Sequence, residues 1–221
     1  FDADLVSIEN LDGFTPSGRP RHRRRVEGTV TYYDGDLLLY LQDNSTGIQV
    51  QLNDPATLQI GDRVEVSGFI DTSRYLAGLR GAVVRRIGEH ESPRPVPMTI
   101  AQIMESHRGF QAGQPTTLTS CDGQLIELTG RLLDFAVGTP PQPHRLEIDC
   151  GDAVATAFLS TGARKLSPGT EVRVTGIAKL TFSPPGADAR LATLDRVDLL
   201  LRDGNDIAVV SRPSWWTPQR T

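Results

Sequence analysis

Cysteine, aromatic rings and positive charge are all in short supply here, and each shortage excludes something. Two cysteines, Cys121 and Cys150, are too few for a disulfide framework, and no CxxC or Cys/His cluster offers a zinc site. Aromatics make up 6% of 221 residues, which is sparse for a surface that stacks bases. The formal net charge is −4; residues 1–110 hold 12 Lys and Arg against 15 Asp and Glu, and the remainder 11 against 12. Neither half has the basic excess usual in a nucleic-acid domain. No apolar run of 18 residues occurs, so no helix long enough to span a membrane is encoded. The chain opens on Phe1 rather than Met, which implies processing or excision from a longer protein. The histidines (His22, His90, His107, His144) lie far apart, and no nucleophile elbow or glycine-rich phosphate loop is present. No catalytic residue, cofactor or metal is therefore predicted. Asp34, Asp36 and Asp43 flank one hairpin without D-x-D-x-D spacing, and read as turn carboxylates accepting backbone N–H groups.

What is present is β-structure. "VEGTVTYY" (26–33), "DLLLYLQD" (36–43), "GIQVQL" (47–52) and "DRVEVSGFI" (62–70) are short, β-rich and bounded by turn residues. Apolar and polar positions alternate along them, giving one buried and one wet face. "LQIGDRVEVSGFI" (58–70) returns as "LSPGTEVRVTGIA" (166–178), with Leu58, Gly61, Val64, Val66 and Gly68 matched 108 residues later. "RVEGTVT" (25–31) is echoed by "ELTGRLL" (127–133), placing Gly28 and Gly130 102 residues apart. A period near 105 has the size of a small domain. The predicted fold is all-β: two consecutive OB-like Greek-key barrels joined by a Pro-rich linker with a short helix. The expected boundaries are 1–92 for the lead-in and first barrel, 93–123 for the linker, 124–210 for the second barrel and 211–221 for a tail. In the linker, Thr99 and Gln102 have capping-box spacing, and Ile100, Ile103 and Met104 form the helix's apolar face.

"RVEGTVTYYDGDLLLYLQDNSTGIQVQL" with "LQIGDRVEVSGFID" resembles the tandem OB-like sensory module at the N-terminus of bacterial membrane signalling proteins, among them sensor histidine kinases and some diguanylate cyclases. "CDGQLIELTGRLLD" is similar to the strand that opens that module's second barrel. The tail "IAVVSRPSWWTPQR" resembles its exit segment, which in the family precedes a transmembrane helix. The resemblance implies a non-enzymatic, extracytoplasmic (periplasmic), membrane-anchored domain that senses a small-molecule or protein ligand, as a candidate homodimer. It supplies no catalytic residues. Trp215, Trp216 and Arg220 would place the tail beside a membrane surface. The rival readings are an OB-fold nucleic-acid module, as of a secreted nuclease, and a carbohydrate-binding or structural domain of a secreted enzyme.

OB barrels bind on the face of strands 2 and 3 and the adjoining loops. With Leu39, Leu41, Ile48, Val50 and Leu52 inward, Tyr40, Gln42, Gln49 and Gln51 face outward. Tyr33 and the loop bearing Arg74 and Tyr75 would rim the site. A face of one ring and three amides without a cation suits a polar small molecule or a protein, and no nucleic-acid partner is expected. An ordinary solvated sheet face remains the plain alternative. Arg21, Arg23 and Arg25 have the outward parity of Glu27, with Glu65 placed to answer them. Cys121 precedes the first strand of the second copy and Cys150 ends its second strand, so a disulfide or two free thiols are both open.

Overall fold

A computed structural model of the protein describes residues 3–11, 22–44, 46–71, 78–88, 90–106, 121–162, 164–183 and 193–213. Strands β1 (Arg24–Tyr33), β2 (Leu38–Gln42), β3 (Gly47–Leu52), β4 (Arg63–Asp71) and β5 (Gly78–Arg86) close into a barrel in the order β1-β2-β3-β5-β4. All pairings are antiparallel except β3 with β5. Val26, Val30, Leu39, Leu41, Val50, Val64 and Val66 fill its interior, as the alternation of the sequence implies. The segment before β1 runs beside it: Val6 N–H donates to the Arg25 carbonyl at 2.9 Å, and Ile8 and Leu11 cap the core. The strand at Gly78–Arg86 is the one described strand of this unit that the sequence reading left unplaced.

The second unit holds β6 (Val96–Pro97), α1 (Ile100–Ser106), β7 (Leu125–Ala136), β8 (His144–Asp149), β9 (Val154–Leu159), β10 (Glu171–Ser183), β11 (Thr193–Leu201) and β12 (Ile207–Ser211). Its pairings run β7-β8-β9-β11-β10, and β10 pairs back to β7. This is the cyclic order of the first unit, with β9 and β11 as the parallel pair. β6 is added beside β7 and β12 beside β10.

The repeat is one of register as well as of residue pattern. Gly28 lies opposite Val64, and Gly130 opposite Val172. Gly61 N–H donates to the Val30 carbonyl at 2.8 Å; Gly169 N–H donates to the Leu132 carbonyl at 2.7 Å. Both of these glycines have φ near +90° (96° and 83°), a turn conformation that side chains with a Cβ resist. The first strand of each unit is irregular at the same place, Val30/Tyr32 and Leu132/Asp134.

The linker helix forms as its capping box requires: Thr99 N–H donates to Gln102 Oε1 at 2.8 Å, and Gln102 N–H to Thr99 Oγ1 at 3.2 Å. Its apolar face is narrower than the sequence implied. Ile100 and Ile103 enter the second core, whereas Met104 is exposed.

The candidate disulfide is absent, and both cysteines are free thiols. A simple hairpin would bring the start of the first strand to the end of the second. β7 instead gives its first half to β10 and meets β8 only from Arg131, opposite Asp149. Cys150 thus comes opposite Gly130 in the middle of β7, nine residues of chain beyond Cys121. Cys121 is buried in the core with Ile100 and Ile103, and Cys150 Sγ contacts its own strand at the Ile148 carbonyl. Residues 207–211 are a strand on β10, and Trp215, Trp216 and Arg220 of the expected tail lie outside the described residues.

Candidate ligand-binding site

The expected binding face on β2 and β3 is covered. Tyr40 is 2% exposed and packs with Tyr32 and Leu38 against Leu125, Ile177 and Leu200 of the second unit. The Tyr32 and Tyr40 rings meet edge to face, with centroids 6.0 Å apart. Tyr40 Oη–H donates to Gln49 Oε1 at 2.9 Å, which gives the buried hydroxyl a partner. Gln42 Oε1 accepts from Leu125 N–H at 3.0 Å, across the junction. Beside it, Gly47 and Gly123 touch through their backbones; a Cβ at residue 47 would stand 2.1 Å from the Gly123 carbonyl oxygen.

Of the predicted site residues, Tyr40, Gln42 and Gln49 therefore belong to the inter-unit junction. Tyr33 is a strut: its hydroxyl donates to the Asp36 carbonyl at 2.9 Å and accepts from Ala56 N–H at 3.0 Å. Gln51 is exposed beyond the junction. Arg74 and Tyr75 lie outside the described residues. The hairpin carboxylates act as turn acceptors. Asp34 Oδ1 receives the N–H groups of Asp36 and Leu38, and Asp43 receives those of Thr46 and Ile8. No acidic, histidine and cysteine cluster able to hold a metal occurs among the described residues. His144 stacks near Phe135 and accepts from Gly138 N–H at 3.2 Å.

Among the described residues, a second surface of the first barrel is the outer face of β1, β4 and β5, where Arg63, Phe69, Arg80 and Arg85 are exposed and Glu65 and Ser67 are buried beneath them. Strand parity brings Arg25, Arg63, Arg80 and Arg85 onto it, with Arg23 just ahead of β1. The carboxylates on the same face are Glu27, Glu65 and, at the end of β4, Asp71. Glu65 is 3% exposed and held between two guanidinium groups, Arg25 at 3.0 Å and Arg85 Nε at 2.6 Å. Glu27 answers Arg63 at 3.4 Å. Five arginines against three carboxylates leave this face cationic within a chain that is acidic overall. Arg23 donates to the Ser67 carbonyl at 3.1 Å, and its guanidinium carbon lies 5.0 Å above the ring of Phe69. Phe69 is 36% exposed, and Arg80 is its neighbour on β5.

Sequence reasoning placed Arg23 and Arg25 on the solvated side; Glu65 answers Arg25 but not Arg23, and Arg21 lies outside the described residues. It missed the face as a whole because β5 was not located, and Arg80 and Arg85 arrive on β5. The corresponding face of the second unit is mixed in sign. Glu127 meets Arg173 at 3.7 Å, and Asp198 meets Arg196 at 3.0 Å. Burial pushes the Asp198 carboxyl above its ordinary range, against the pull of Arg196.

No protein-family model matches the chain, and no curated protein matches it in sequence. Among solved structures it is similar to a murine DNA-binding protein bound with double-stranded DNA, at 12% identity and a TM-score of 0.38, covering 86% of this chain and 97% of that one. It is also similar to the Ifi202 HINa domain in complex with 20 bp double-stranded DNA, at 11% identity and a TM-score of 0.38, covering 87% and 97%. The p202 HIN1 domain in complex with 12-mer double-stranded DNA matches at 11% identity and a TM-score of 0.35, covering 92% and 99%. The expectation that excluded a nucleic-acid partner rested on a face without a cation; the cationic face of β1, β4 and β5 removes that ground, and the neighbours named are themselves DNA complexes. At such scores the likeness is one of chain trace, and the ligand of this chain has to be argued from its own surface.

Proposed function

We propose that the chain is a non-enzymatic OB-fold binding module for nucleic acid, and that it contacts its ligand through the outer face of β1, β4 and β5. The observation that carries this reading is the cationic face itself, on which Arg23 and Arg80 flank an exposed aromatic ring and Arg63 stands further along β4. Every cation on it is arginine, whose planar fork suits phosphate oxygens and whose π surface suits bases. The face expected to bind a polar small molecule is occupied by the second unit, which removes the main support for that alternative. The sensory reading rests on sequence resemblance alone.

The test is fluorescence anisotropy with labelled oligonucleotides across a salt series. If the face engages about three phosphates, log affinity falls against log salt with a slope of roughly −2 to −3. Arg63→Ala and Arg80→Ala should each weaken binding and flatten that slope by about 1. Absence of salt-dependent binding at low ionic strength would sink the reading.

A further inference from the structure

The docking patch of the second unit has a counterpart in the first. In the second unit, Leu125, Ile177 and Leu200 form one row across β7, β10 and β11, each opposite the next, and this row receives the ring of Tyr40. In the first unit the same register puts Arg23, Phe69 and Arg80 in a row. Arg24 pairs with Gly68, so Arg23 comes opposite Phe69, and Phe69 pairs with Arg80. One row is apolar and filled by a tyrosine from the same chain; the other is an exposed ring flanked by two arginines, with the Arg23 guanidinium over one of its faces.

We infer that the row Arg23–Phe69–Arg80 is a stacking site for an unpaired nucleobase, so that the protein takes single strands in preference to duplex. This rests on the nucleic-acid reading above and narrows it. The position is one that, in this architecture, accommodates a flat aromatic ring. Its central residue offers a ring and its flanks offer planar cations, the combination on which bases stack and phosphates settle. Adjacent strands are about 4.8 Å apart, so the backbones of the two arginines stand roughly 10 Å apart on either side of Phe69; Arg23 covers one face of the ring and a base can stack on the other. In a duplex both faces of every internal base are already covered by its neighbours. A duplex can therefore offer this row its phosphates and nothing to Phe69.

The experiment compares a fluorescein-labelled 20-nucleotide oligo(dT) with a blunt 20-base-pair duplex on the full chain at low salt. The expected result is single-strand binding tighter by roughly tenfold or more. Phe69→Leu keeps apolar bulk but loses the ring; it should cost the single strand roughly 5- to 100-fold and the duplex far less. Phe69→Tyr should restore the preference, and circular dichroism melts check that each variant is folded. Equal affinity for both forms, or equal loss of both in Phe69→Leu, overturns the inference while leaving the nucleic-acid reading standing. Binding of neither form overturns both.

Discussion

The two units share a ring of strands, a register and an irregularity in the first strand, yet their surfaces are near opposites. Where the first unit presents Tyr32, Leu38 and Tyr40 to its neighbour, the matching positions of the second are Asp134, Arg145 and Glu147. Where the second presents Leu125, Ile177 and Leu200, the first has Arg23, Phe69 and Arg80. Even an internal pair is inverted: Arg25 with Glu65 becomes Glu127 with Arg173. One unit carries only the donating half of the contact and the other only the receiving half. A third unit has nowhere to attach by the same contact, because Val154, 47% exposed, occupies the place where Gly47 makes its backbone approach. The barrel fixes where a contact can occur, and side chains at a few positions decide whether it does.

That division can be broken by exchanging residues between matching positions. Tyr40→Glu should be the most damaging exchange, because it strips a buried ring and leaves a carboxylate among Leu125, Ile177 and Leu200; a loss of about 3–5 kcal/mol is expected in urea denaturation. Its mirror, Glu147→Tyr, lies on a solvated face and should change stability by no more than about 0.5 kcal/mol. Comparable losses from both would show that Tyr40 is not buried between the units. Gly47→Val comes next. The Gly123 backbone must retreat to admit the side chain, at a cost of about 1–3 kcal/mol, whereas Val154→Gly loses only strand propensity, about 1 kcal/mol or less. The smallest effect concerns the thiols, which only the second unit possesses. Burial pushes the Cys121 thiol up to about 12, and burial with nearby Asp149 raises Cys150 less. The thiolate is the reacting form, so Cys121 stays protonated and inert at pH 8. Iodoacetamide at that pH should modify Cys150 first, slowly, and reach Cys121 only on unfolding. A mass showing both residues oxidised to a disulfide would contradict the strand register.

The repeat was legible because it lies in backbone requirements. Gly61 and Gly169 need the same turn, and valines at two-residue spacing fill the same interior. The site was not legible for a related reason. Matching "VEVSGFI" with "VRVTGIA" registers likeness, while the function resides in what differs between the copies. Tyr40, Gln42 and Gln49 had the right parity to face outward, and they do face away from their own core. What the sequence did not disclose is that the outward side is roofed by residues some 85–160 positions further along. The thiol pairing failed similarly, since β7 serves two neighbours where a hairpin reading allows one.

The order of the units along the chain has a consequence for synthesis in the cell. Tyr32, Leu38 and Tyr40 leave the ribosome well before Leu125, Ile177 and Leu200 exist to cover them. At about 5–20 residues per second, the interval from Tyr40 to Leu200 is on the order of 10–30 s. Throughout that time the first barrel can already be complete while carrying a bare apolar face, and it is then a natural client for chaperones that hold nascent chains.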